Sequence, residues 1–360
     1  MKNSFGQSVT LTLFGESHGR EIGAVLDGIA PGFSVDEDFI RHQLTLRRPF
    51  GKISTSRTEA DEFRIVSGVF EGKTTGTPLC ILIPNTNTKS GDYQKNLPRP
   101  SHADYTAECK YHGFADYRGG GHFSGRLTAA LVAAGAILIS MLRQNGILIG
   151  THVSSLAGIT DRPFRNFEEE IEQLGEMNFP VLSDTAADAM RLEIEQAAND
   201  GDSVGGVLET LVTGLPAGLG EPWFDSVEGL LSHALFSIPA VKGVEFGDGF
   251  ALADMRGSEA NDAFRVRDGK VITATNRNGG INGGITNGMP VLFRCVVKPT
   301  PSIFVEQESV DLSTMQNAVL KLQGRHDPAI VHRARIVVDS VTALVLCDLL
   351  AQRFGTDFIN

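Results

Sequence analysis

Polar and apolar residues alternate through "SVTLTLFG" near the start of the chain, which predicts a half-buried strand. "IGAVLDG" reads as a second strand or the start of a short buried element. "SVDEDFIRHQLTLRR" changes to helical spacing, with Ser34 as N-cap, acids in the first turn and bases in the last. "EFRIVSGVFEG" and "TPLCILIPN" return to strand character between turn residues. Residues 86–121 are polar and without period, and so long a connection inside a compact domain points to disorder or function. The apolar run 127–142, between Arg126 and Arg143, falls short of the ~20 residues a bilayer span needs and predicts a buried helix. Further helices are expected at 167–174, at 183–200, in "FDSVEGLLSHALFSI" and in the C-terminal "VDSVTALVLCDLLAQRF", with another ending in "AVLKLQGRHD". "GGVLETLVTGLP" and "MPVLFRCVVKPTPS" read as strands, and "FRVRDGKVITATN" as a hairpin turning at Asp268-Gly269. Strands group in antiparallel fashion with helices between them, so the expected class is α+β. No linker divides the chain, and residues 1–360 read as one domain.

Composition narrows the function. Four cysteines lie far apart with no C-x-x-C pair, which argues against structural zinc and disulfides and fits a reducing cytoplasm. The N-terminus lacks a signal-type apolar core. A net charge of −11 opposes binding to nucleic acid or anionic membrane. Residues 41–57 nevertheless hold five bases and no acid, either a solvated face or a pocket for a small polyanion. The 40 glycines exceed the usual share of roughly 7% and cluster at 119–121, 279–280 and 283–284, where backbone must turn sharply or approach a ligand.

Five clusters could carry chemistry. "GESHG" frames Ser17 and His18 with glycines; "RPSHADY" sets His102 between Arg99 and Asp104. In "DYRGGGHFSGRL" a glycine turn leads through His122, Ser124 and Arg126 into the apolar helix, a natural place for an anion. "VVKPTPS" offers Lys298, Thr300 and Ser302, and "GRHDPAIVHRAR" gathers Arg325, His326 and Asp327. The last reads as a structural ion pair or as a base held ionised by cationic neighbours. No metal set is expected, because histidines and carboxylates are not paired at ligand spacing. P-loop, Rossmann and G-x-S-x-G patterns are missing.

"GESHG", "RPSHADYTAECKY", "DYRGGGHFSGR", "SIPAVKGVEFGDGF", "GSEANDAF", "GGINGGITNGMP", "KPTPS" and "GRHDP", in this order, resemble the chorismate synthase family. The resemblance implies a large β-α-β sandwich of mainly antiparallel sheets assembled as a homotetramer. It implies a lyase that converts 5-enolpyruvylshikimate-3-phosphate to chorismate by anti-1,4-elimination of phosphate and a C6 hydrogen. Reduced FMN is required without net redox change, lending electron density as phosphate leaves. By the same resemblance His18 is an acid toward the departing phosphate, and His102 stands near the flavin and stabilises its reduced form. Asp327 assists proton loss at flavin N5. Substrate contacts fall on Ser17, Arg47, Arg48 and Arg126. Flavin contacts fall on His122, Phe123, Ser124, Ala240, Gly283, Lys298, Pro299, Thr300, Pro301, Ser302 and Arg325. The 41–57 segment then reads as an anion pocket.

The chain departs from the family pattern at Leu46, Phe50, His122, Ala329 and His332. A competing reading is a catalytically silent flavin- or phosphosugar-binding protein on the same scaffold, against which the retention of His18, His102 and Asp327 speaks. Self-reduction of the flavin by NADPH would be a third possibility. No added domain or nucleotide fingerprint accompanies it, so an outside reductant is expected.

Overall fold

The alternation that marks the first strand, Thr10–Gly15, buries Leu11 and pairs the strand antiparallel with Glu21–Asp27. Leu79–Pro84, Arg64–Ser67 and the short Ser4–Phe5 complete a five-stranded antiparallel sheet. A second such sheet runs Val241–Phe246, Val291–Val297, Gly206–Thr213, Leu148–Leu156 and Ile159–Thr160. The coordinates are a computed structural model and describe residues 2–55, 59–87, 94–322 and 327–359.

Two helices fill the space between the sheets. Thr128–Gln144 lies against the first sheet, Val331–Phe354 against the second, and the helices pack on one another. Their approach requires glycine at 135, where a Cβ would stand 2.4 Å from Cβ of Ser340. Residues 125–144 are long and apolar enough to cross a membrane, but 89% of that stretch is buried, which makes it a core helix. The β-α-β arrangement is the expected α+β sandwich, and core side chains from both sheets and the helices form one apolar cluster.

Two local expectations need correction. Asp36, not Ser34, caps the helix Glu37–Arg47, because its carboxylate accepts from the Phe39 N–H while Ser34 bridges to Lys73. "AVLKLQ" does not end a helix: Gln316–Leu320 is a strand, since Gln307–Asp311 supplies a partner ladder that local periodicity could not reveal. Within 86–121 a helix forms at Asp104–Lys110, too short to show a period.

Candidate active site

"GESHG" is the turn that joins the first two long strands. Gly15 ends one strand at φ +101°, and the backbone returns at Glu21. Four hydrogen bonds from outside pin this turn. Asn85 donates through Nδ2 to the carbonyls of Glu16 and Gly19 at 3.0 and 2.9 Å. The Ser17 N–H donates to Gly121 O, and His122 donates through Nδ1 to Gly15 O at 2.8 Å. Ser17 and His18 are buried, and Ser17 Oγ has no hydrogen-bond partner among the described residues.

The glycine loop 119–121 explains how the two proposed acid–base histidines meet. All three glycines have positive φ. A Cβ on Gly119 would lie 2.2 Å from Cε1 of His18 and 2.8 Å from Ser17 Oγ. A Cβ on Gly120 would lie 3.1 Å from Cε1 and 3.4 Å from Nε2 of His102. Successive residues of one loop therefore seat two imidazoles that are far apart in sequence. The third glycine turns back toward Asp116, whose carboxylate pairs with Arg118.

His102 is held from its other side. Its Nδ1 lies 2.6 Å from Asp104 Oδ1, and Arg99 grips the same carboxylate through Nε and Nη2 at 2.8 Å each. Burial pushes the Asp104 carboxyl up, but Arg99 and His102 outweigh it and hold it well below the ordinary carboxylate range. Arg99 also reaches Ser302 Oγ at 3.3 Å, and Lys298 Nζ donates to Ser101 O at 2.6 Å. "KPTPS" is thus fastened to the His102 segment. Ala240 joins it, because its carbonyl accepts from the Lys298 N–H. Thr300 Oγ1 is buried without a partner among the described residues.

The arginines form a third group. Arg47 and Arg126 share one buried carboxylate, Asp61, with Arg47 Nη2 at 2.8 Å from it. Arg126 also contacts Glu59 at 3.3 Å and donates to Asn85 Oδ1 at 2.9 Å, which links this group to the "GESHG" turn. Burial raises the Asp61 carboxyl, and the two guanidiniums more than reverse that, leaving it below its usual value. Arg48 Nε is buried with no partner among the described residues. The basic segment therefore divides. Arg41 is exposed and pairs with Glu37 and Asp38, a solvated contact, whereas Arg47 and Arg48 turn inward.

Asp327 accepts from the Thr55 N–H at 2.7 Å and from Arg333 at 2.6 Å, and Arg333 Nε donates to Arg47 O. The late carboxylate thus belongs to the arginine group. Arg325 and His326 lie outside the described residues. Phe123 is partly exposed and meets Tyr111 edge-on, while Ser124 accepts from the Arg126 N–H. Pro299 packs beside Gly205, and Pro301 offers only its carbonyl to Gln307. Gly283 lies in the hairpin turn between Ile281–Asn282 and Ile285–Thr286, where a Cβ would meet nothing within 4 Å.

A cavity of about 570 Å³ adjoins the loop, with Phe14, Arg99, Asp104, Gly120, His122 and Phe123 among its walls. His18 and Asp327 do not line it, so the buried chemistry and this cavity share the glycine loop without coinciding. Among the described residues no His, Cys, Asp and Glu group could hold a metal. Asp61, Glu59, Asn85 and Arg333 escaped the reading of the sequence; "TEADE" directly after the basic segment was the available sign that its charges are met internally.

The family model described as chorismate synthase matches residues 9–351. A chorismate synthase of Thermococcus kodakarensis is 45% identical over 351 residues, 97% of each chain, and one of Thermococcus gammatolerans is 47% identical over the same shares. A crystal structure of a chorismate synthase superposes with a TM-score of 0.77 at 30% identity, over 98% of this chain and 94% of that one.

Proposed function

The chain belongs to the chorismate synthase family, and from that premise we propose that the residues around the glycine loop eliminate phosphate from 5-enolpyruvylshikimate-3-phosphate to give chorismate. The observation that carries this assignment is the seating of His18 and His102 on consecutive glycines, linked through Asn85 to the Arg47–Asp61–Arg126 group.

Arg47, Arg48 and Arg126 supply planar donors for phosphate and carboxylate. An incoming anion takes over interactions that Asp61 now makes, so the cations are kept apart and oriented before substrate arrives. His18, packed under Gly119, delivers a proton to the departing phosphate, and Ser17 Oγ, without a partner among the described residues, is a donor beside it. The C6 hydrogen is not acidic enough for a simple base. The residues present fit a flavin mononucleotide, since Thr300 Oγ1 is buried and unpartnered among the described residues and Phe123 shows an aromatic face. Lys298 through Ser302, Ala240, His122, Phe123 and Ser124 would hold it, with Gly283 and Arg325 as further contacts. When bound and reduced, it would supply the electron density that the elimination needs. His102 orients toward the loop that both ligands share. Asp327 keeps a carboxylate at the edge of the arginine group.

We further propose that the chain works as one domain in a cytoplasmic homotetramer, with its flavin reduced by an outside donor. The test is anaerobic phosphate release from the substrate with photoreduced FMN. Release is expected, and His18→Ala should slow it by about 10²–10⁴-fold. Binding of both ligands without release would establish the silent-binder reading instead.

A further inference from the structure

Asp104 lies outside every set of residues assigned so far, yet its geometry controls what His102 can do. A nitrogen and a carboxylate oxygen 2.6 Å apart must have a proton between them, so His102 Nδ1 is the protonated nitrogen. Nε2, which faces Gly120, is then the atom left to accept or carry a second proton. Arg99 Nη2 stands 3.1 Å from the same Nδ1. A guanidinium can only donate, so it would claim the Nδ1 lone pair if the carboxylate were not there. Arg99 instead spends its Nε and Nη2 donors, and its backbone N–H, on Asp104. These side chains are largely shielded, with exposures of 12% for Arg99, 19% for His102 and 20% for Asp104, so the choice is made out of bulk water.

We infer that Asp104 is a positioning residue for the proposed lyase reaction, fixing His102 as the Nδ1–H tautomer with Nε2 presented at Gly120 and preventing Arg99 from imposing the opposite one. The inference rests on the functional reading above for its consequence, but the tautomer itself does not. Among the described residues, Arg99 and Asp104 face the ring from its own segment, Lys298 reaches the adjoining Ser101 carbonyl, and the titratable His18 packs on the neighbouring glycine.

Nitrogen-15 NMR of histidine-labelled protein, without substrate or flavin and above the imidazole titration range, reads the tautomer directly; a His102→Gln spectrum assigns the signal. Wild type should show Nδ1–H. Asp104→Asn should switch to Nε2–H as Arg99 donates to Nδ1, with kcat down about 10²–10⁴-fold and KM little changed. Asp104→Glu, which restores a carboxylate, should recover Nδ1–H and part of kcat. An Nε2–H wild type, or an unchanged tautomer in Asp104→Asn, overturns the inference. So does a switched tautomer with normal kcat in an active enzyme. Should Asp104→Asn fail to fold, the wild-type and Asp104→Glu spectra still decide. An inactive wild type that nonetheless shows Nδ1–H would count against the lyase reading and not against the hydrogen bond.

Discussion

Gly119 has the tightest steric requirement of the residues around His18. Its φ of +61° already disfavours any L side chain by about 1–2 kcal/mol. A methyl group there would also overlap the His18 ring, 2.2 Å away, in a turn pinned by Asn85 and His122. Gly120 shares the backbone conformation but leaves 3.1 Å to His102. Gly119→Ala should therefore lose more stability than Gly120→Ala, and far more activity. Thermal unfolding and steady-state phosphate release on both variants check this, and equal activity losses would contradict it. Some of this was legible in the chain: glycines beside histidines marked the spot. Which histidine meets which glycine was not, because 100 residues separate His18 from Gly119 and only the fold closes that distance.

At the scale of elements, the start of the C-terminal helix Val331–Phe354 organises the late carboxylate. His332 is buried, accepts or donates through Nε2 at 2.9 Å to Ser54, and lies beside the Phe179 ring. Ser54 precedes Thr55, whose N–H holds Asp327. Burial and the adjacent Arg333 charge push the His332 imidazole down to about 3. The unfolded chain, with an ordinary value near ~6.5, binds a proton first as pH falls, so stability is full above that value and drains away toward pH 3. Wild type should lose about 2 kcal/mol between pH 7 and pH 5 from this group. His332→Gln should lose correspondingly less. Denaturant unfolding at the two pH values measures the difference, and parallel losses would rule out a buried neutral histidine. The element itself was expected from its apolar run; the departure at 332 was visible in the sequence, but its partner Ser54 was not.

For the whole molecule, the exposed aromatic side chains call for an explanation. Trp223 and Phe224 are 86% and 92% exposed, and Phe236 and Phe250 also face outward. The adjacent pair Trp223 and Phe224 is the kind of exposed apolar surface that association covers. In the proposed tetramer they are covered by further copies of the chain. Light scattering should give a tetrameric mass for wild type, and a smaller species for the Trp223→Ser, Phe224→Ser pair with its far-ultraviolet spectrum unchanged. A monomeric wild type would defeat the assembly.

The sequence by itself determined the α+β class, most of the long helices and strands, and the family, because these depend on periodicity and ordered motifs that neighbouring residues carry. The tertiary structure decided the rest. Gln316–Leu320 became a strand only when a partner strand supplied its hydrogen bonds. The basic segment split into a solvated Arg41 and an internal Arg47 only when Asp61 came close enough to meet two guanidiniums. Proton positions on an imidazole depend on what lies within three ångströms of each nitrogen. That is a property of folded space, which spacing along a chain does not encode.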